Sequence, residues 1–340
     1  MSRTKKLIAL SVALSIFATL AVLYFTFSEE TLRALGEIKV EFFFLSLLMH
    51  ITALFIWGLR INVLSRTLGF RIEFRRALEI VTSSIFMAAI TPSHAGGEPV
   101  RIALLTRCGL SPGDSSAVVL GERVLDGIFL SFLAIFGLIY LQKHLQSYSH
   151  LKIIAIISLF IIIGSIGFLI LSVVNPRAPE RARRASNKLM DRFEWLKKRE
   201  FLVERILEEA LNFRNAMIVL MRRRNHGTVL AAILTAIFWS LEFSIPSVII
   251  LGIGESPDFF FCYFIQAVLT IILMLPLTPG SSGIAEIGSA TFYSVILPPY
   301  KLGIFVLVWR FIIYHFNLIL GSLMTLKVLR SLKKWKKQSF

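Results

Sequence analysis

The chain has only two cysteines, Cys108 and Cys262, far apart and with neither CxxC spacing nor a neighbouring histidine. That pattern excludes a disulfide framework and a zinc site, and it leaves both residues as small hydrophobes. Histidine is equally sparse: six residues without ligand spacing, of which only His94 and His315 lie in positions that merit testing. No GxGxxG, P-loop, HExxH or GxSxG occurs, so nucleotide, metalloprotease and serine-hydrolase chemistry lack sequence support and neither a cofactor nor a metal is expected. Charge is scarce too, at 17% of residues, and acids are the rarer sign, with 21 Asp and Glu against 37 Lys and Arg.

What fills the chain is apolar. Of 340 residues, 56% are hydrophobic and the mean hydropathy is +0.73, well outside the range of an ordinary soluble domain. A bilayer core of about 30 Å needs roughly 20 apolar helical residues. Six segments meet that length: 7 to 27, 42 to 64, 116 to 140, 152 to 174, 228 to 251 and 303 to 327. The first follows Arg3, Lys5 and Lys6 in the manner of a signal peptide. It is longer than a typical h-region and has no A-x-A site, so it is expected to be a retained transmembrane helix.

Two further apolar stretches are interrupted. Ala77 to Ile90 ends at Thr91-Pro92, then passes through Ser93, His94, Gly96, Gly97, Glu98 and Pro99 before an apolar pattern resumes to Cys108. Phe259 to Leu277 ends at Thr278-Pro279-Gly280-Ser281-Ser282-Gly283 and restarts to Leu297. Irregular backbone at membrane depth is tolerated only where protein or a water-filled cavity satisfies its polar groups, so both stretches are expected to be broken or re-entrant helices. The expected fold is all-α and polytopic: six full transmembrane helices plus the two broken stretches, in a single membrane domain over 1 to 340.

With the N-terminus inside, the inner segments carry 29 of the 37 Lys and Arg and the outer ones five, Arg33, Lys39, Lys143, Lys152 and Lys301. This is the positive-inside pattern of a plasma or inner membrane protein with both termini cytoplasmic, and it explains the net charge of +16 without nucleic acid. The polar region 175 to 227 is expected to form amphipathic helices on the inner leaflet, ending in the topogenic anchor Arg222, Arg223 and Arg224.

An offset of 187 residues lays Thr91-Pro92 on Thr278-Pro279, Gly96 on Gly283 and Arg123 on Arg310, with Glu98 meeting Glu286 after one residue of slippage. Apolar matches are cheap, but this polar order is not. An odd number of crossings separates the two halves, so 42 to 140 and 228 to 327 are expected to be inverted repeats, a construction that puts binding sites where broken helices meet.

Charge within a span costs at least about 2.5 kcal/mol, which makes Arg123 and Arg310 candidates for gripping a lipid phosphate. Glu122 and Asp126 are alternative ion-pair partners for Arg123. Glu98 and Glu286 can meet a cationic headgroup, take a coupling proton or cap the following half-helix. Arg101, three residues after Glu98, is expected to pair with it. Gly96, Gly97, Gly280 and Gly283 allow the turn or aim backbone donors at an anion. Arg60 is expected to snorkel to the inner interface, and mid-span Glu242 has no explanation from sequence.

The string Thr91-Pro92 through Gly96-Gly97-Glu98-Pro99-Val100-Arg101, then Glu122-Arg123 with Asp126, then Leu275 through Gly280, Gly283 and Glu286, resembles the lysylphosphatidylglycerol synthase transmembrane-region family, from the first span to the last. The resemblance implies a flippase-like domain moving a phospholipid or lipid-linked anionic headgroup between leaflets. Its partner would be an anionic or aminoacylated phospholipid or a polyprenyl-linked lipid. In full-length relatives aminoacyl transfer belongs to an additional soluble domain, for which this chain is expected to have no room, so the synthase activity is not carried over. Two alternatives stay open: an intramembrane enzyme on a phospholipid or polyprenyl phosphate, with Glu98 or Asp126 as base, and a membrane partner of a separate synthase or glycosyltransferase.

Overall fold

The computed structural model describes residues 3–91, 96–141, 200–221, 226–274, 278 and 280–338, with scattered positions between 153 and 184. Pro92, His94 and Pro279, most of the expected span 152 to 174 and most of the loop up to residue 199 lie outside the described residues. The described elements are helical throughout: α1 (Arg3–Thr26), α2 (Glu29–Gly36), α3 (Val40–Thr67), α4 (Phe74–Ala89), α5 (Gly97–Arg107), α6 (Pro112–Leu141), α7 (Glu200–Met221), α8 (His226–Gly252), α9 (Phe259–Leu273), α10 (Ile284–Tyr293), α11 (Pro299–Arg310), a π-helical turn (Phe311–His315) and α12 (Phe316–Gln338).

Among the described residues, three helices are long and apolar enough to cross a membrane: α3, α8 and the continuous run Pro299–Val328. There are up to four if the bent pair Val12–Thr26 and Glu29–Gly36, 111° apart, forms one span. The sharp bend after the first expected span was not anticipated. Here Ser28 N–H donates to Thr31 Oγ1 at 3.0 Å and opens a new short helix. The segment expected at 116 to 140 is one helix of 30 residues, α6, and both interruptions fall where Thr91 and Thr278 mark them.

The distribution of side chains is that of a protein solvated by hydrocarbon. On α1, Ser15, Ala18 and Thr19 are buried at helical spacing while Phe17, Tyr24 and Phe25 face outward, and Phe260 and Ile139 are likewise exposed. Arg60, Arg101, Glu122, Asp126, Glu286 and Arg310 are buried instead. Lipid is as apolar as leucine, so these helices associate through close packing and polar bonds rather than through exclusion from water.

The order of elements repeats at the same spacing of 187 residues: α3, α4, α5 and α6 are followed by α8, α9, α10 and the run from Pro299, each starting within two residues of the offset position. The packing partners repeat as well. α3 packs on α4 as α8 packs on α9, and α12 lies on α4 as α6 lies on α9. α3 and α8 run antiparallel along their length: Lys39 N–H donates to Gly252 O at 2.8 Å at one end, His50 meets Glu242 midway, and Arg60 meets Thr235 towards the other end.

The two interruptions touch. Gly280 N–H donates to Thr91 O at 3.1 Å, and Tyr314 OH donates to Ala89 O at 3.3 Å, so carbonyls at the end of α4 that lack helical partners are satisfied from the other half. Gly280 has φ +57°, and a Cβ there would lie 2.4 Å from Ala89 O. Gly280→Ala is therefore expected to destabilise the fold by at least about 2 kcal/mol, read as a lowered thermal unfolding midpoint in detergent. Gly36→Ala, where an added Cβ meets nothing within 4 Å, is expected to leave the midpoint in place.

Candidate functional site

An arginine and a glutamate meet beside each of the two breaks. In the first half, Arg123 on α6 donates from Nε to Glu98 Oε1 on α5 at 2.7 Å. In the second, Arg310 at the end of α11 donates from Nε to Glu286 Oε1 on α10 at 2.8 Å. The local backbone explains both placements. α5 and α10 begin directly after their breaks at Gly97 and Ile284, so each glutamate stands in the first turn, where the helix N-terminus favours an anion. Glu286 takes this further, with Oε2 accepting the N–H of Gly283, whose backbone is left-handed at φ +87°. Capping and ion pairing are thus two uses of one side chain.

The two pairs differ in surroundings. Arg123 and Glu98 side chains are 32% and 37% exposed, whereas Arg310 and Glu286 are 4% and 0%. The second pair is sealed by α1: Ser15 Oγ donates to Glu286 Oε1 at 2.6 Å and accepts from Arg310 Nη2 at 3.2 Å. Ser282 Oγ accepts from the same nitrogen at 3.4 Å, and the guanidinium lies 4.3 Å from the centre of the Tyr314 ring. A π-helical turn follows Arg310 immediately, and within it His315 Nδ1–H donates to Arg310 O at 3.2 Å.

Around the first pair lies a larger network. Arg60 on α3 donates from Nε to Glu122 Oε1 at 2.9 Å, and from Nη1 to Asp126 Oδ1 at 2.6 Å and to Thr235 Oγ1 at 3.1 Å. Arg101 Nη1 donates to Glu122 Oε2 at 2.6 Å, and Arg123 Nη1 reaches Asp126 Oδ2 at 3.3 Å. Two tryptophans complete it: Trp57 Nε1–H donates to Glu122 Oε1 at 3.0 Å and Trp239 Nε1–H to Asp126 Oδ1 at 2.9 Å. Three guanidinium groups face three carboxylates, so the cluster is neutral, which is the condition for burying so much charge in a membrane protein.

Two sequence expectations are corrected here. Arg101 does not pair with Glu98, because Arg123 takes that carboxylate and Arg101 turns to Glu122. Arg60 does not snorkel to an interface; its side chain is 1% exposed and bridges two acids. A charge count over the two full spans would have found it: 116 to 140 holds Glu122 and Asp126 against Arg123 alone, and Arg60 is the one Lys or Arg within 42 to 64. Of the expected partners for Arg123, Asp126 makes the contact and Glu122 is occupied elsewhere.

The break residues divide between turn and packing roles. Thr91 Oγ1 donates to Met87 O at 2.7 Å and accepts from Gly96 N at 2.9 Å, closing the first break on itself. A Cβ at Gly96 would collide with the Thr91 side chain, and one at Gly97 would press against Ala88 Cβ and Ser84 O at 3.0 Å. In the second break, Ser281 Oγ donates to Leu273 O at 2.8 Å and Ser281 N–H to Thr278 O at 3.1 Å. Thr278 Oγ1 is buried without a partner among the described residues. Pro92 and Pro279 lie outside the described residues, and among those described no cluster of metal ligands occurs.

Helices of spanning length, an apolar exterior and a buried, neutralised charge network define a helical membrane protein. Residues 8–321 match the family described as the lysylphosphatidylglycerol synthase TM region, and the chain belongs to that family. It is 34% identical over 319 residues to a UPF0104 membrane protein of Archaeoglobus fulgidus, covering 92% of this chain and 94% of that one. UPF0104 membrane proteins of Pyrococcus horikoshii and Methanocaldococcus jannaschii are 22% and 23% identical, covering 94% and 95% of this chain and 96% and 95% of theirs.

Removing the cation shared by Glu122 and Asp126 leaves the buried cluster with three carboxylates against two guanidinium groups. Arg60→Met is expected to cost on the order of 3–5 kcal/mol and to abolish accumulation of folded protein in membranes. Arg123→Met, at a pair one-third exposed, is expected to leave most of the folded protein intact, as measured by size-exclusion profile and thermal midpoint.

Proposed function

We propose that this protein moves a lipid with an anionic headgroup between the two leaflets, using two inverted broken-helix repeats whose arginines bind the headgroup phosphate in turn. The observation that carries the reading is the recurrence of one Arg–Glu pair at two interruptions that are hydrogen-bonded to each other, with one pair reachable and the other closed. Antiparallel packing of α3 against α8, which occupy the same place in the two repeats, supports inversion. Inverted repeats with discontinuous helices suit alternating access, since a rearrangement that closes one half opens its counterpart.

The chemistry follows from the pairs. A guanidinium stays charged in any environment and can offer two parallel N–H donors to phosphate oxygens. At rest each arginine is neutralised by its glutamate, so the site exists without a bound anion at no cost of naked charge. A phosphate arriving at Arg123 displaces Glu98, which is exposed enough to be hydrated once released. In the opposite conformation Ser15 withdraws and Arg310 becomes the acceptor. The excess of Lys and Arg in the loops assigned to the inner side favours an orientation with both termini towards the cytoplasm.

The reading is tested with purified protein in liposomes containing fluorescent phosphatidylglycerol, following transfer by dithionite quenching. Arg123→Gln is expected to slow transfer at least about tenfold, the loss of one charge-assisted contact, while the protein still folds. Arg310→Lys keeps the buried charge but removes the fork, and is expected to slow transfer with less loss of stability than Arg310→Ala. Equal rates in the parent and both variants would sink the mechanism. A change in lipid mass during incubation would instead identify an intramembrane enzyme.

A further inference from the structure

Midway along the contact between α3 and α8 lies a polar group that neither ion-pair cluster includes. His50 Nδ1 is 2.8 Å from Glu242 Oε1, and its Nε2 is 2.9 Å from Asn317 Oδ1 on α12. The His50 side chain is 4% exposed and that of Glu242 12%. Both residues lie within about one turn of the middle of their helices, the depth at which ionisable groups are most expensive.

The hydrogen bonds fix where protons can sit. Asn317 Nδ2 donates to Ile313 O at 2.7 Å, so the amide is oriented with its oxygen towards His50. An amide oxygen only accepts, and His50 Nε2 must therefore carry a hydrogen. At 2.8 Å the other ring nitrogen and the carboxylate oxygen cannot face each other with lone pairs alone, so one more proton lies between them. With it the pair is neutral, as imidazolium and carboxylate or as imidazole and carboxylic acid. Without it a single negative charge is left inside the protein.

The other groups facing this site do not compete for that proton. α12 contributes Asn317 and the ring of Phe316, 6.1 Å from the imidazole, neither of which titrates. On α8, Glu242 is the one charge acting on the ring. Further along α3, Arg60 is held by Glu122 and Asp126, and beyond the π-helical turn Arg310 is held by Glu286, with His315 bound to the Arg310 carbonyl.

We propose that His50 and Glu242 form a binding site for one exchangeable proton, and that its occupancy couples to the transport reading given above, on which this second clause rests. Position supports the coupling. The site joins three elements: α3, which carries Arg60 of the first cluster; α8, which carries Thr235 and Trp239 of the same cluster; and α12, whose Asn317 follows Arg310 by seven residues, about two turns. Losing the proton leaves a charge that these helices must rearrange to solvate, and regaining it restores the neutral, closed contact. The proton is taken from water and returned to water, entering on the side of the more exposed Glu242, with no electron transferred and no covalent bond between heavy atoms altered.

The test uses the full chain, 15N-labelled at histidine, in lipid nanodiscs, with His50→Gln to assign the ring. Between about pH 5 and pH 9 one ring is expected to keep Nε2 protonated while Nδ1 changes state, and Glu242→Gln is expected to move that midpoint by about one pH unit or more. A His50 ring whose Nδ1 signal shows neither a change of protonation nor a change of hydrogen bonding over this range, or that responds identically in parent and Glu242→Gln, overturns the proton site. In liposomes with fluorescent phosphatidylglycerol, an imposed pH gradient is expected to change the parent's rate at least about fivefold and to leave that of Glu242→Gln unchanged. A titrating ring with lipid transfer indifferent to the gradient overturns the coupling. A parent that transfers no lipid rejects the transport reading, and the ring titration then decides the proton site alone.

Discussion

The constraint that organises this protein is that a charge in hydrocarbon has to be cancelled where it stands. Each uncompensated ionised group at the centre of a span costs at least about 2.5 kcal/mol, and folded proteins are stable by only about 5–15 kcal/mol. Arg60, Arg101 and Arg123 against Glu98, Glu122 and Asp126, and Arg310 against Glu286, each close to neutrality within hydrogen-bonding distance. The partners come from different helices, so the need for neutrality also fixes how those helices pack. α3 cannot slide along α6 without separating Arg60 from two carboxylates.

Much of this was legible from the amino-acid order because the bilayer leaves few options. Apolar runs near 20 residues long, a Thr-Pro followed by glycines, and an arginine 32 residues after each Thr91 or Thr278 mark spans and breaks directly. Among the described residues, the helices at 42 to 64, 116 to 140 and 228 to 251 begin and end within a few residues of the expected segments. What could not be read is which acid meets which base. Periodicity along one helix suggests neighbours three or four residues apart, and on that rule Arg101 belonged to Glu98. The actual partners lie on other helices, and the rule lost to tertiary geometry. Ser15, Trp57 and Trp239 were invisible for a related reason: within an apolar run, no sequence signal says which face turns inward.

The difference between the two halves is as informative as their likeness. A symmetric pair of sites would be equally exposed, yet Arg123–Glu98 is partly open and Arg310–Glu286 is shut. The element responsible stands outside the repeat elements compared: α1, through one serine hydroxyl that both accepts from the arginine and donates to the carboxylate. A hydroxyl can do this where a carbonyl or an amide N–H cannot, since it has both a donor and acceptor positions. It adds no charge, so its withdrawal would leave the ion pair neutral.

That asymmetry limits how exchange can proceed under the proposed mechanism. For a phosphate to take an arginine, the glutamate must lose its partner, and a buried carboxylate without one is far costlier than a hydrated one. Glu98 can be hydrated where it stands, whereas Glu286 also has to keep Gly283 N–H satisfied and is wholly enclosed. Exchange at rest is thus confined to the first half, and exchange at the second requires α1 to move before a headgroup arrives. Since Gly280 and Thr91 join the two breaks through backbone atoms, movement in one half is felt in the other at its least helical point. The order of events follows from solvation: opening first, then release of the glutamate, then capture of the phosphate. The reverse order would pass through an unpaired carboxylate in a closed site.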